Sequence, residues 1–193
     1  MAVAELDFIF DSSLISPEIK ADYPAGYTIR PLARDDYKRG FFQCLQALTF
    51  TGDISETEYI DRFDWHKNHG QGWYYCVVIV EDAIDRIVGT GTVIVERKFI
   101  HNLGISGHIE DISIAKDHQG KHFGQKLIKT LDSVAVNVGC YKSILNCSLK
   151  NAGFYAKCGY EKQSIEMAHL YPETRAAFEE AQNAYERSKS ATN

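Results

Sequence analysis

Residues 107–124 read Gly-His-Ile-Glu-Asp-Ile-Ser-Ile-Ala-Lys-Asp-His-Gln-Gly-Lys-His-Phe-Gly, and they limit the fold more tightly than any other stretch. The first half alternates as a strand does. The second half is a glycine-punctuated turn leading into a helix with apolar Phe123, Leu127, Leu131, Val134 and Val138. In the first turn of such a helix the backbone N–H groups have no intrahelical partner and sit at the positive end of the dipole, so they can receive a phosphate. Ile109 and the pair Ile112 and Ile114 have opposite parity and cannot share a face of a regular strand. Either a β-bulge near Glu110 and Asp111 repairs the parity, leaving two adjacent carboxylates and unpaired backbone at one spot, or the strand is ordinary and the acidic pair is solvated.

Around this stretch the sequence alternates strands and helices. Residues 27–30 read as a first strand. An amphipathic helix with Tyr37, Phe41, Cys44, Leu45 and Leu48 follows, capped by Asp35 or Asp36. Ser55 and Glu58 have the spacing of a capping box opening a second helix. Residues 74–80 and 87–96 form a predicted antiparallel hairpin, and 97–106 a loop carrying Lys98 and His101. Beyond the central strand and helix come a strand over 141–148, a short helix over 152–157 and a last strand over 160–171. Residues 1–26 are read as an irregular N-terminal arm, 27–171 as one domain, and 172–193 as a polar helical tail.

A chain of 193 residues can bury a core without staples. Its five cysteines are odd in number and lack metal-ligand spacing, which predicts neither a disulfide framework nor a zinc site. A net charge of -5 argues against a general nucleic-acid binder. No stretch approaches the roughly 20 apolar residues of a membrane span, and no secretory leader is evident; a cytoplasmic protein is expected.

Gln119, Gly120, Lys121, His122, Phe123 and Gly124 resemble the Gln/Arg-x-x-Gly-x-Gly/Ala signature of the GCN5-related N-acetyltransferases, with His122 where glycine is usual. Other segments match in the same order: Ile29-Arg30-Pro31-Leu32, Glu96-Arg97-Lys98-Phe99-Ile100-His101, Gly107-His108-Ile109-Glu110-Asp111, Gly139-Cys140-Tyr141-Lys142, and Asn151-x-x-Phe154-Tyr155. Together, over residues 27–171, the chain is similar to the branch of the family that acetylates the 2-amine of glucosamine 6-phosphate, a step towards UDP-N-acetylglucosamine. The resemblance implies an α/β fold with a mixed, mostly antiparallel sheet splayed at the cofactor strand and flanked by helices. It also implies acetyl-CoA as co-substrate without a metal, a homodimer with the site completed across the interface, and no nucleic-acid or membrane partner.

Carried onto this sequence, the resemblance assigns the cofactor to the backbone of Ile112, Ser113 and Ile114 for the pantetheine arm, and to the turn from Gln119 through Gln125, with Asn151 and Tyr155. Glu110, Asp111 and Asn146 line the sugar site; Thr49, Lys98, His101, Tyr141 and Lys142 complete it towards the phosphate. The chemistry is consistent with these roles. By analogy with a free α-amino group of pKa about 7.7–8.0, on the order of a tenth of the amine is neutral near pH 7. A carboxylate that orients it therefore suffices. The Tyr155 phenol, ordinarily near pKa ~10 against ~8.5 for a thiol, can donate to the leaving thiolate as general acid.

The chain departs from the family at Asn146, where an acidic residue is usual, and near the end of the last strand, where His169 or Tyr171 stands in for an arginine. Two other readings remain: an acetyltransferase for another small amine, and a catalytically silent acetyl-CoA-binding module. The glycine turn fits neither a dinucleotide fingerprint nor a Walker motif.

Overall fold

A computed structural model describes residues 6–190; positions 1–5 of the predicted arm and 191–193 of the tail lie outside the described residues. Five strands, β1 (Tyr27–Pro31), β2 (Tyr74–Glu81), β3 (Arg86–Arg97), β4 (Ile105–Ile114) and β5 (Lys142–Ile144), lie side by side in chain order. The first four are antiparallel neighbours, and β5 runs parallel to β4. A parallel neighbour requires a crossover. Helix α5 (Phe123–Asn137) supplies it, and the result is the predicted mixed, mostly antiparallel sheet flanked by helices.

Period-two alternation gives each face of the sheet its own core. Tyr75, Val77, Ile79, Val93 and Val95 face α5, packing with Leu127, Leu131 and Val134. Cys76, Val78 and Val80 face the opposite way, towards Cys44 of α2 (Phe41–Leu45) and Tyr59 and Phe63 of α3 (Glu56–His69). The predicted capping box is present at the start of α3, with Ser55 and Glu58 satisfying each other's backbone N–H. The N-terminal arm is more regular than its sequence suggests. It forms α1 (Pro17–Ala21), with Ser16 accepting from Ile19 N–H, and inserts Ile15, Ile19 and Tyr23 into the α5-side core.

Two expectations are corrected. Asp36 does not cap a helix, because its carboxylate is fully buried and occupied by Arg30 (2.7 and 2.8 Å) and the Ala33 N–H (2.7 Å). α2 instead starts after Gly40, in the left-handed region at φ 82°, and is only five residues long. The predicted last strand is also absent among the described residues. After α6 (Ala152–Lys157), which matches its prediction, residues 161–171 belong to no helix or strand and are exposed. The β-rich run over 141–148 shortens to the three residues of β5 for the same reason: a strand forms only where another backbone meets it. The tail is helical as α7 (Pro172–Ser190), and Tyr185 Oη donates to Gln46 O at 3.2 Å.

Candidate active site

The parity break in β4 is resolved by a bulge. Thr90 pairs with Ser113 but Thr92 with Glu110, so Gly91 alone faces both Asp111 and Ile112. Asp111 takes a left-handed φ of 55°, and the inserted residue lets Ile109, Ile112 and Ile114 all pack on the α5-side core. An ordinary strand with a solvated acidic pair is thereby ruled out. Gly91 is needed opposite the bulge, because a Cβ there would stand 2.5 Å from Ile112 Cδ1 and 2.9 Å from Leu131 Cδ1.

Glu110 lies on the α2/α3 side of β4, and Asp111 helps line a cavity of about 880 Å³ on that side, together with Thr92, Ile94, Phe41 and Leu45. Burial pushes both carboxyls above their ordinary values, and for Glu110 the negative charges of Asp111 and Glu166 add to the effect. Asp111 is open to solvent by surface area; its desolvation comes from the concave walls around it. Burial of this kind favours the neutral acid and raises the basicity of the carboxylate, which strengthens it as an acceptor for a donor proton.

Ahead of the bulge β4 parts from β5. Their pairing covers only Ser106, Gly107 and His108, so Ser113 and Ile114 pair with β3 on one edge, Ile112 sits in the bulge, and among the described residues no strand lies along the other edge. Gln119 Nε2 donates to Ile114 O at 3.2 Å across this gap, and Ser113 Oγ is turned away, donating to Cys44 O at 2.6 Å. Below the gap the chain makes a turn through Gln119, Gly120 and Lys121. Gly120 has φ 82° with nothing near its missing Cβ, and His122 at φ 63° precedes the first residue of α5, Phe123. Lys126 N–H to His122 O (3.3 Å) is the first helical bond to close, so the amides of Phe123, Gly124 and Gln125 have no helical acceptor. The open edge and the amide turn fit a phosphorylated ligand with a long amide-bearing arm.

The turn is fixed from behind by residues that sequence reasoning did not single out. His118 is buried, with Nδ1 3.0 Å from Asp117 Oδ1 and Nε2 3.3 Å from Tyr27 Oη, while Asp117 also binds Arg86 at 2.7 Å. Asp117 is held well below the usual carboxylate range by His118 and then by Arg86. A histidine between an acid and the glycine turn was the available signal.

Tyr155 projects from the first turn of α6, which Asn151 opens by accepting the N–H groups of Phe154 (3.0 Å) and Tyr155 (3.2 Å) at its carbonyl. Its half-buried ring packs edge-on against Phe154, with centroids 5.0 Å apart. Burial raises the phenol above its ordinary value, and the charges of Cys147, Cys158 and Glu110 act in the same direction. Asn146 is exposed in the segment after β5.

The residues assigned to the phosphate of the acceptor are only partly brought together. His101 and Tyr141 have ring centroids 5.9 Å apart, and Lys142 Nζ lies 5.5 Å from the Tyr141 ring. His101 sits in α4 (Ile100–Leu103), whose His101, Asn102 and Leu103 have left-handed φ values of 54°, 56° and 57°. That is uncommon outside glycine and strained in succession. Lys98 is not with them: its Nζ is held at 2.5 Å by Glu96 Oε2. Thr49 is exposed beyond α2, with its N–H on Leu45 O at 3.2 Å.

The model of the Acetyltransferase (GNAT) family matches residues 33–160. A glucosamine 6-phosphate N-acetyltransferase of Candida albicans is 43% identical over 144 residues, covering 75% of this chain and 95% of that one. Glucosamine 6-phosphate N-acetyltransferase 1 of Dictyostelium discoideum is 37% identical over 147 residues, covering 76% and 92%. The crystal structure of glucosamine-6-phosphate N-acetyltransferase from Arabidopsis thaliana superposes with a TM-score of 0.72 at 37% identity, over 75% of this chain and 98% of that chain.

Proposed function

The chain belongs to the acetyltransferase (GNAT) family, and from that membership we propose that it transfers acetyl from acetyl-CoA to the 2-amine of glucosamine 6-phosphate, giving N-acetylglucosamine 6-phosphate by direct attack in a ternary complex. The observation that carries this reading is the bulge at Asp111. It sets Asp111 in the wall of the cavity with Glu110 beside it on the α2/α3 side of β4, beyond the residues at which β4 pairs with β5 and above a turn of free amides.

Acetyl-CoA, when bound, supplies an activated acetyl group. The amides of Phe123, Gly124 and Gln125, with Gln119, Gly120, Lys121 and His122 shaping the turn, hold its pyrophosphate. The open backbone of Ile112, Ser113 and Ile114 holds its arm, with Asn151 and Tyr155 on the α6 side. Glu110 and Asp111 accept hydrogen bonds from the amine of the sugar and orient its lone pair, and Asn146 adds a neutral donor or acceptor. The amine nitrogen bonds the acetyl carbon, the carbon–sulfur bond breaks, and the departing sulfur takes the proton of Tyr155. The amine gives up its own proton to a carboxylate. Burial keeps Tyr155 protonated and therefore available as donor.

His101, Tyr141 and Lys142 receive the sugar phosphate, and Lys98 joins them by exchanging Glu96 for the ligand; Thr49 closes the site from the α2 side. A second copy of the chain completes the site, supported by the exposed apolar Ile165, Met167 and Leu170 in a segment that, among the described residues, pairs with no strand. The five cysteines are unpaired, which supports a reducing compartment such as the cytoplasm.

The test is release of free CoA by the purified protein with acetyl-CoA and glucosamine 6-phosphate, run beside glucosamine. Release with the phosphorylated sugar alone is expected. Equal release with both would remove the phosphate subsite, and release with neither would leave acetyl-CoA binding or another amine.

A further inference from the structure

His108 stands beside the acidic pair and has no role in the chemistry above. Along β4, Ser106, His108 and Glu110 share the α2/α3 face, opposite Glu96, Ile94 and Thr92 of β3. Same-face neighbours on a strand are about 6.6–6.8 Å apart, so His108 is the next side chain to Glu110 on that face. Its outer edge is fixed, with Nε2 3.1 Å from Glu96 Oε2, an oxygen that also accepts from Lys98 Nζ (2.5 Å) and Ser106 Oγ (3.4 Å). Glu96 is a lasting anion, its carboxyl lowered to about 2 by Lys98 and then by His108. On the β5 side His108 meets Ile144, which is apolar.

The charged groups acting on Glu110 are thus of two kinds. Asp111 and Glu166 are negative and, after burial itself, favour the neutral acid, whereas His108 favours the carboxylate. Since Asn146 carries no charge, orientation of the amine falls to Glu110 and Asp111, and their ionisation matters more. From this arrangement we propose that His108 is a positioning residue for Glu110: anchored by Glu96 and next to Glu110 on the same face of β4, it favours the carboxylate form that holds the acceptor amine. The inference rests on Glu110 being an acceptor for that amine.

The test is the pH dependence of kcat/KM for glucosamine 6-phosphate in the full chain and in His108→Gln, His108→Arg and Glu110→Gln. A carboxylate needed for activity is lost as pH falls through its folded value, so weakening its cation moves the acid limb to higher pH. His108→Gln is expected to shift that limb up by roughly half to one unit, a three- to tenfold loss on its acid side, with KM for acetyl-CoA unchanged. His108→Arg keeps a fixed charge and returns the limb to its original place. A merely structural role would lower the rate evenly across pH. An unmoved limb in His108→Gln, with the limb abolished in Glu110→Gln, overturns the role of His108 alone. A limb that survives Glu110→Gln removes Glu110 as the amine acceptor, and this inference with it.

Discussion

The sheet from β2 to β4 and the stretch from 141 to 171 contain similar apolar side chains and meet opposite fates. In the first, both faces are covered by helices of the same chain; Val77, Val78 and Ile79 of β2 are fully buried. In the second, β5 is three residues long, and Ile165 and Met167 are 84% and 93% exposed on a segment without a ladder. Apolar pattern alone therefore does not make a strand. The backbone N–H and C=O groups need a partner, and the first region finds it within the chain whereas the second presents its groups outwards.

Stability should divide in the same way. Leu131 is fully buried on α5, so Leu131→Ala is expected to cost about 2–5 kcal/mol in urea unfolding. Ile165→Ser, at the same level of chemistry, should stay within about 0.5 kcal/mol at dilutions where association is negligible. A comparable loss from both would mean that the exposed segment packs in solution after all, and the contrast would fail.

Activity crosses the boundary, because Tyr155 belongs to the outer region and Glu110 and Asp111 to the inner one. Tyr155→Phe is expected to lower kcat about a hundredfold, or about 2.7 kcal/mol of barrier, with the affinity for acetyl-CoA retained. Its phenol is raised, so the proton donor persists as pH rises past the ordinary value near ~10; the wild-type rate should show no alkaline loss from this group below that. An unchanged kcat in the Phe variant would confine the chemistry to β4.

Association supplies the next test. Met167→Asp adds a charge where the proposed partner copy would bury the thioether, and should weaken self-association about tenfold in sedimentation. It should leave the unfolding of the separated chain almost untouched. Loss of monomer stability instead would place Met167 against its own chain.

The inner region was legible because parity is a local and strict constraint. Ile109 against Ile112 and Ile114 admits few geometries; spacing narrowed them to a bulge or an ordinary strand with a solvated acidic pair, and the pairing register decides for the bulge. What failed depended on tertiary partners that a local pattern does not reveal. Asp36 carries the local signature of an N-cap, but Arg30, six residues earlier, takes its carboxylate into the core. His118 and His108 gain their partners only when the sheet forms, and the last strand lacked a ladder that no single-chain pattern could supply. The amide turn was readable in outline, yet its conformation was not.

That turn also provides the smallest and most discriminating expectation. His122 occupies φ 63°, ψ 9°, where the family signature has glycine, and its ring Nδ1 lies 3.2 Å from Gln125 Oε1. A left-handed residue with a Cβ costs roughly 1–2 kcal/mol, less for histidine than for a branched side chain. Replacing it with glycine relieves that strain but gives the unfolded chain about 0.4–1 kcal/mol of extra entropy, and it removes the contact to Gln125. The two effects nearly offset, so His122→Gly should change unfolding free energy by no more than about 1 kcal/mol. Without the ring, the backbone can approach a phosphate more closely, and KM for acetyl-CoA should fall two- to threefold, on the order of 0.5 kcal/mol. His122→Val keeps the left-handed strain and adds a branched Cβ, so it should lower stability and raise KM for acetyl-CoA. If glycine instead weakens acetyl-CoA binding, the imidazole itself touches the phosphate, and the departure from the signature is a ligand contact rather than a tolerated strain.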